Sequence, residues 1–158
     1  MIEFDIDDVH FNFRTSAIVI SHDEKRILMT TKKDMNYYTL PGGRVQGGED
    51  TSETIRRRFK EELGIDIEVT ALKLIIESFF KLKGKDYHEL QYFYVIKVLD
   101  EKYEGMTEQF EGQVEDNIYE WINIDDLDTI TYRPASAKRY MREVFAGDNS
   151  LKHCVLHE

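Results

Sequence analysis

Hydrophobic and polar residues follow two patterns along this chain, one typical of β-strands and one typical of α-helices, and the strand pattern begins nearer the start of the chain. Two apolar runs between His10 and Thr31, FNFRTSAIVI and RILMTT, flank a polar stretch of hairpin length, so they predict a β-hairpin. Branched and aromatic residues fill Ile67 to Phe80 and Tyr92 to Val98, on either side of the mostly polar segment Lys81 to Lys85. This pattern predicts a long antiparallel pair of strands in a central curved sheet.

The segment after a glycine-rich turn carries its apolar residues at helical spacing. Its apolar stripe consists of Ile55, Phe59 and Leu63. This spacing predicts a helix of roughly four turns from Asp50 to Leu63. Capping oxygens precede the stripe and Gly64 follows it, as expected for the two ends of a helix. Glu53 and Arg57, four residues apart, predict a solvated ion pair.

A second helical stripe lies near the end of the chain. Pro134 stands near the first turn, and the apolar residues after it predict a helix that covers one face of the sheet. Residues 146–158 predict a frayed tail, whose histidines and cysteine lack a second matching pair for a zinc site. The order of the elements predicts an α/β fold with a single domain over 1–158 and its core at about 11–145.

Composition restricts the classes of function. The chain has 158 residues and 41% hydrophobic content, which fits a globular domain, and no apolar run approaches the roughly 20 residues of a membrane span. A net charge of −10 disfavours a long nucleic acid as partner, because a nucleic-acid groove needs a basic face. Cys154 is the only cysteine, which is consistent with a reducing, cytoplasmic compartment. The oligomeric state stays open, with a homodimer as one possibility.

The candidate chemistry is concentrated between Gly43 and Ile65, where the glycine turn leads into the predicted helix. Two adjacent carboxylates, Glu61 and Glu62, lie at the edge of the apolar stripe. Clustered carboxylates select hard cations such as Mg²⁺, and such a cation would let an acidic protein bind a small nucleotide. Arg58 precedes them by one helical turn, so its guanidinium can pair with both carboxylates.

This stretch resembles the Nudix box, G-x5-E-x7-R-E-U-x-E-E-x-G-U, in which U is a bulky apolar residue. The matching positions are Gly43, Glu49, Arg57, Phe59, Glu61, Glu62, Gly64 and Ile65. Arg58 stands where the family has the first glutamate of the R-E-U-x-E-E run. The resemblance to Nudix, or MutT-like, hydrolases implies an α/β/α sandwich with a mixed, mostly antiparallel curved sheet between helices.

The resemblance also implies a reaction. It is the hydrolysis of a nucleoside diphosphate linked to another moiety, a small-molecule substrate, with Mg²⁺ or Mn²⁺. Glu61 and Glu62 would be catalytic and would hold the metal together with the backbone carbonyl of Gly43. Glu49 and Arg57 would brace the site by an ion pair. Glu115, in the acidic loop before the predicted strand at 118–122, resembles a further metal ligand of the family.

Several alternatives stay open. Because Arg58 competes with the metal, the rival hypothesis is a Nudix-fold binding or regulatory module without turnover. Tyr37 and Tyr38 beside the glycine turn either pack it onto the sheet or stack on a base. His88 and Glu89 either belong to a surface hairpin or supply a base. Nucleoside triphosphates, oxidised nucleotides, nucleotide sugars such as ADP-ribose and dinucleoside polyphosphates are all compatible substrates.

Overall fold

The structure, a computed structural model, describes residues 1–158 and contains two β-sheets and three α-helices. The strands are β1 Glu3–Ile6, β2 Val9–Val19, β3 Arg26–Lys32, β4 Gly42–Arg44, β5 Ile67–Leu82, β6 Lys85–Val98, β7 Phe110–Glu111, β8 Asn117–Asn123 and β9 Lys152–His157. The helices are α1 Thr51–Leu63, α2 Glu101–Glu104 and α3 Ala137–Phe145, and a 3₁₀ helix spans Ile124–Thr129. The predicted α/β class is confirmed.

The larger sheet has the strand order β1-β2-β6-β5-β9, and β4 pairs with β2. The long antiparallel pair predicted from the sequence is β5 with β6, and it extends from Ile67 opposite Val98 to Leu82 opposite Lys85. β2 joins β6 in parallel along its whole length. Register shifts interrupt β5 near its start, and such irregularities bend a strand. The sheet is therefore mixed and curved, as predicted.

The predicted hairpin is wrong in its pairing. Its turn does close, because the Ser21 N–H donates to the carbonyl of Arg26 at 3.0 Å. Beyond the turn, however, β3 leaves β2 and pairs with β8 in a second sheet of order β3-β8-β7, with Leu28 opposite Trp121. β3 and β8 each contribute residues to both hydrophobic cores, so each of these two strands is buried on both of its faces.

The two cores lie on opposite faces of β2. The first core contains the predicted stripe of α1, which packs against Ala17 and Val19. The second core contains Ile18 together with Ala137 and Met141 of α3. Helices therefore lie on both sides of the strands, which is the predicted layer order. None of the helices combines the length and the apolar character that a membrane-spanning segment requires.

Helix α1 begins and ends as its sequence predicts. The Asp50 side chain accepts hydrogen bonds from N–H groups of the first turn, and the Glu53 side chain accepts one from the Asp50 N–H. Gly64 ends the helix at φ 70°, a left-handed conformation that glycine adopts at little cost. Because Glu53 serves this cap, the predicted Glu53–Arg57 pair does not form, and Arg57 binds other carboxylates.

The predicted frayed tail is also wrong. Residues Lys152–His157 form β9, which pairs in parallel with β5 from Leu74 to Phe79. Cys154 and Leu156 pack against the second core, while the alternate residues His153, Val155 and His157 are exposed. A segment this short and polar acquires its strand conformation from the free edge of β5, a partner far away in the sequence.

Candidate active site

The two predicted carboxylates, Glu61 and Glu62, line a cavity of about 610 Å³, here called cavity 1. Helix α1 forms one wall, and strand β4 with Gly43 forms another. Small-molecule sites typically measure about 300 to 1,000 Å³. The structure therefore brings these three predicted residues together on one concave surface of suitable size for a ligand.

Glu62 is buried, and both of its carboxylate oxygens have partners. The Tyr119 hydroxyl donates to Oε2 at 2.7 Å, and the Arg58 guanidinium donates to Oε1. Burial, and then the charge of Glu62, raise the pKa of Tyr119, so its hydroxyl remains a donor. Tyr119 is not among the site residues that the sequence predicts. Its place two residues before Trp121 in a strand, on the same buried face, is the signal that could have indicated it.

Arg58 lies between the two carboxylates. Its Nη1 donates to Oε2 of Glu61 at 3.0 Å, and its Nη2 donates to Glu62. Its Nε lies 3.4 Å from the carbonyl oxygen of Gly42. The side chain also packs on Gly43, where a Cβ would approach the Arg58 Nε to 2.7 Å, so a larger residue would displace the arginine. The structure thus shows the double pairing that helical spacing predicts.

A second ion pair joins the glycine turn to the helix. Arg57 donates from Nε and Nη2 to the two oxygens of Glu49 at 3.0 and 2.8 Å, a bidentate contact. Arg57 also donates to the carbonyl of Arg44 at 3.2 Å and to Glu61 at 3.3 Å. Hydrogen bonding to Arg57 lowers the pKa of Glu49 to about 2. These contacts tie β4, the turn and α1 into one rigid unit.

The acidic loop before β8 approaches α1 without bringing Glu115 into the cavity. The Gln113 N–H donates to the carbonyl of Glu62 at 2.6 Å, which satisfies one free carbonyl at the helix end. Glu115 is exposed and is not among the residues that line cavity 1. Two other acidic side chains nearby, Glu111 and Asp116, pair with Lys33 at 3.6 and 3.7 Å.

The residues present fit a hard divalent cation that takes most of its ligands from elsewhere. Glu61 and Glu62 already converge on one positive group, the guanidinium of Arg58. No three acidic, histidine or cysteine side chains gather in a metal-binding cluster. Mg²⁺ is commonly bound by one or two carboxylates, with water and substrate phosphates as its other ligands. Glu61 and Glu62 can therefore serve as the protein ligands of such a cation, once the partly exposed Arg58 side chain moves aside.

Cavity 1 is basic although the whole chain is acidic. Its basic lining residues are Arg14, Lys32, Arg44, Arg57 and Arg58. Its only acidic lining residues are Glu61 and Glu62, against a net charge of −10 for the chain. An anionic ligand therefore meets local positive charge in this cavity, and the excess of carboxylates lies elsewhere on the molecule.

A second cavity of about 430 Å³, here called cavity 2, adjoins the first and shares Arg14, Tyr37 and Arg44 with it. Its aromatic lining residues are Tyr37, Phe80, Tyr87 and Tyr132. Asn12 also lines it and is 2% exposed, yet its Oδ1 has no hydrogen-bond partner within the chain. The two cavities together offer a basic compartment and an aromatic compartment with an unused acceptor.

Four residues whose role the sequence leaves open, namely Tyr37, Tyr38, His88 and Glu89, lie in different parts of the structure. Tyr37 lines both cavities, and the Arg133 guanidinium lies 4.7 Å from the centre of its ring. Tyr38 packs against the second core, and its hydroxyl donates to Glu120. Glu89 lines cavity 2, whereas the neighbouring His88 lies on the opposite face of β6. Only Tyr37 and Glu89 of these four are therefore placed to contact a ligand.

Known proteins resemble this chain in sequence. A family model described as the NUDIX domain matches residues 12–144. The uncharacterized Nudix hydrolase YvcI of Bacillus subtilis (strain 168) is 25% identical over 123 residues, which cover 77% of this chain and 72% of that protein. An 8-oxo-dGTP diphosphatase of Buchnera aphidicola subsp. Schizaphis graminum is 27% identical over 114 residues, or 70% of this chain and 76% of that protein.

Solved structures agree at the level of the fold. The crystal structure of a UDP-X diphosphatase superposes with a TM-score of 0.65 at 19% identity. The superposition covers 92% of this chain and 66% of that one, slightly under two thirds of its length. The family model spans most of the chain, including α1 and the basic residues of cavity 1 that surround it. The chain therefore belongs to the Nudix hydrolase family.

Proposed function

We propose that this chain hydrolyses the diphosphate of a nucleoside diphosphate linked to another moiety, with Mg²⁺ or Mn²⁺ held by Glu61 and Glu62. The observation that carries the proposal is the convergence of these two carboxylates on one positive group at the wall of a basic cavity. The carbonyl of Gly43, which lines cavity 1, would be a further ligand. Glu115 is exposed outside the cavity, so its side chain would join the ligands only after the acidic loop moves.

The chain's own residues supply binding and orientation. When bound, the divalent cation would neutralise phosphate charge and lower the pKa of a water molecule. Arg14, Lys32 and Arg44 place positive charge where the phosphates of the substrate would lie. Tyr119 holds Glu62 in one orientation, and the Glu49–Arg57 pair fixes the turn that carries Gly43. Such preorganised groups lower the cost of reaching the transition state.

We infer that the nucleoside part of the substrate lies in cavity 2. Its aromatic walls offer stacking surfaces for a base, and the free Oδ1 of Asn12 offers an acceptor for a base N–H. The shared residues Arg14 and Arg44 let one ligand extend from this cavity into cavity 1. The 8-oxo-dGTP diphosphatase among the relatives and the UDP-X diphosphatase that shares the fold support a nucleotide substrate. The free thiol of Cys154 supports a reducing, cytoplasmic location.

A panel assay in ¹⁸O-labelled water tests this function. The panel contains nucleoside triphosphates, oxidised nucleotides, nucleotide sugars and dinucleoside polyphosphates, each with Mg²⁺ or Mn²⁺. We expect one ¹⁸O label in a small phosphate-containing product. Chelator and the variant Glu61→Gln should abolish this labelling. The control variant Glu68→Gln should retain it, because Glu68 is exposed outside the cavity. Chelator-resistant turnover or cleavage of DNA contradicts the proposal. Nucleotide binding without turnover assigns the chain to the binding modules instead.

A further inference from the structure

A row of contacting aromatic rings crosses one face of the larger sheet. Its members are Phe4 of β1, Phe11 of β2, His88 of β6, Phe79 of β5 and His157 of β9, each opposite the next in register. Ring centres of the stacked pairs lie 5.0 Å apart for Phe4 and Phe11, 4.4 Å for Phe79 and His88, and 4.8 Å for Phe79 and His157. Phe11 and His88 meet edge to face at 5.2 Å. One continuous row therefore spans five strands.

Apolar residues of the neighbouring rows extend this surface. They are Phe13, Ile75, Leu90, Tyr92 and Val155, which lie two or four residues from the ring row along their strands and so point to the same side. The ring row and these five residues are here called the outer face. None of its residues belongs to either hydrophobic core or to the apolar side chains packed against them.

Helix α1 leaves this face uncovered. The helix begins at Thr51, whose hydroxyl lies 2.6 Å from the hydroxyl of Tyr94, and it covers that end of β6. Tyr92 and Leu90 lie two and four residues before Tyr94 on the same side of β6, and neither packs with the helix in the first core. At the rim, Phe4 is 45% exposed and Val155 is 48% exposed. The outer face is thus an unpartnered apolar sheet surface.

We propose that the outer face is the interface of a homodimer, in which it packs against the same face of a second copy. Five strands about 4.8 Å apart and three rows about 7 Å apart give roughly 500 Å² in projection, before the relief of the rings is counted. Stable dimers bury about 800 Å² on each subunit, and two sheets pack face to face at about 10 Å. A broad sheet face of this kind fits a second sheet face packed against it.

The charge distribution favours a second copy as the occupant. The chain carries a net charge of −10, so two copies repel each other through most of their surface. Within the rows of the outer face the acidic side chain is Glu77, and it lies 2.7 Å from the Nε2 of His153. Two copies can therefore bring their outer faces together without placing unpaired carboxylates opposite each other, as a two-fold interface requires.

Sedimentation velocity of the full chain at 1 to 100 µM tests the proposal. We expect a dimer, and we expect the variant Phe79→Lys, which places two ammonium groups at the centre of the interface, to sediment as a monomer. The matched control is Leu99→Lys, because Leu99 is 60% exposed and lies outside the outer face. Raising the salt concentration should strengthen the parent dimer, since it screens the repulsion between two acidic copies.

Folding of each variant is checked by far-UV circular dichroism, and Phe4→Lys on the edge strand is a second variant that leaves the cores untouched. A monomeric parent at 100 µM would overturn the proposal. So would a folded Phe79→Lys or Phe4→Lys variant that dimerises as tightly as the parent. A monomeric parent that binds phosphatidylcholine vesicles through Phe79 would assign the outer face to a lipid surface instead.

Discussion

A single guanidinium determines the electrostatics of the candidate site. Arg58 pairs with Glu61 and Glu62 and so holds the two carboxylates together without a metal. The helical spacing was sufficient to predict this pairing, because residues three and four apart share one side of a helix. The contact of Tyr119 with Glu62 was not predictable in the same way, since 57 residues separate the two side chains.

Replacing Arg58 by glutamate should increase the affinity for Mg²⁺. The change alters the local charge by two units beside both carboxylates, worth about 1 to 3 kcal/mol after screening, or roughly ten- to a hundredfold in affinity. The same variant should melt at a lower temperature than the parent in chelator and recover with Mg²⁺, because three clustered carboxylates repel each other without a cation. Calorimetric titration and thermal melting measure both effects.

Arg56→Glu is the matched control for this experiment. It makes the same change of charge on the same helix, but Arg56 contacts Ser52 and not the carboxylates of the site. Its Mg²⁺ affinity should stay within about threefold of the parent, given the screening of exposed charges. Equal effects of the two variants would show that the Arg58 contacts do not limit metal binding.

Glu49→Gln should destabilise the chain in a pH-dependent manner. Hydrogen bonds from Arg57 lower the pKa of Glu49 from its ordinary 4.5 to about 2, so folding favours the ionised form. This stabilisation is complete above pH 4.5 and is lost as the pH falls through about 2. Urea unfolding should show a difference of about 1 to 2 kcal/mol between parent and variant at pH 7. A difference that does not shrink towards pH 2.5 would contradict this account.

Asn12→Ala tests the assignment of cavity 2. Losing one hydrogen bond to the substrate costs about 1 to 1.5 kcal/mol, so KM should rise about tenfold for the preferred nucleotide while kcat changes little. Stability should not fall by a comparable amount, because Oδ1 of Asn12 has no partner within the chain. Steady-state kinetics and urea unfolding separate the two effects. An unchanged KM for every substrate, with Asn36→Ala as the exposed control, would contradict the assignment.

At the scale of elements, local patterns predicted the extent and the two ends of α1, but they predicted the partners of the strands incompletely. Helix α1 depends on side chains within its own segment, the capping box and Gly64, and all of these are visible in the sequence. Strand β3 looked like the second arm of a hairpin, yet β8 offers it seven residue pairs in another sheet. Pairing between distant strands depends on the burial of both faces, which no local pattern reports.

Truncation after Ser150 should reveal the contribution of β9. It removes the strand that pairs with the edge of β5 and the packing of Cys154 and Leu156 on the second core. We expect a loss of about 2 to 4 kcal/mol in the free energy of unfolding, from the apolar area exposed. The shortened chain should also aggregate more readily, because β5 becomes an open edge. Unchanged melting would mean that the segment frays in solution, as the sequence had predicted.

At the scale of the whole molecule, the net charge of the chain differs in sign from the local charge of cavity 1, so it indicates the charge of the ligand only in part. The value of −10 predicts that a long nucleic acid is not a partner, because the average charge of the chain repels phosphates. It did not predict that five basic side chains surround Glu61 and Glu62 in cavity 1. These residues come from β2, β3, β4 and α1, so only folding brings them together. Substrate charge is set by this local excess and not by the average over the chain.

The most direct test of the account is a calorimetric titration of Mg²⁺ and ADP into the parent, Glu62→Gln and Glu68→Gln, with circular dichroism to verify folding. If Glu61 and Glu62 hold the metal, Glu62→Gln should bind Mg²⁺ in the presence of ADP at least about tenfold more weakly than the parent, since a neutral amide replaces one of two anionic ligands. Glu68→Gln should bind like the parent, because its side chain is exposed outside cavity 1. Binding of equal strength by folded Glu62→Gln and the parent would contradict the account and would leave the carboxylate pair as a partner of Arg58 alone.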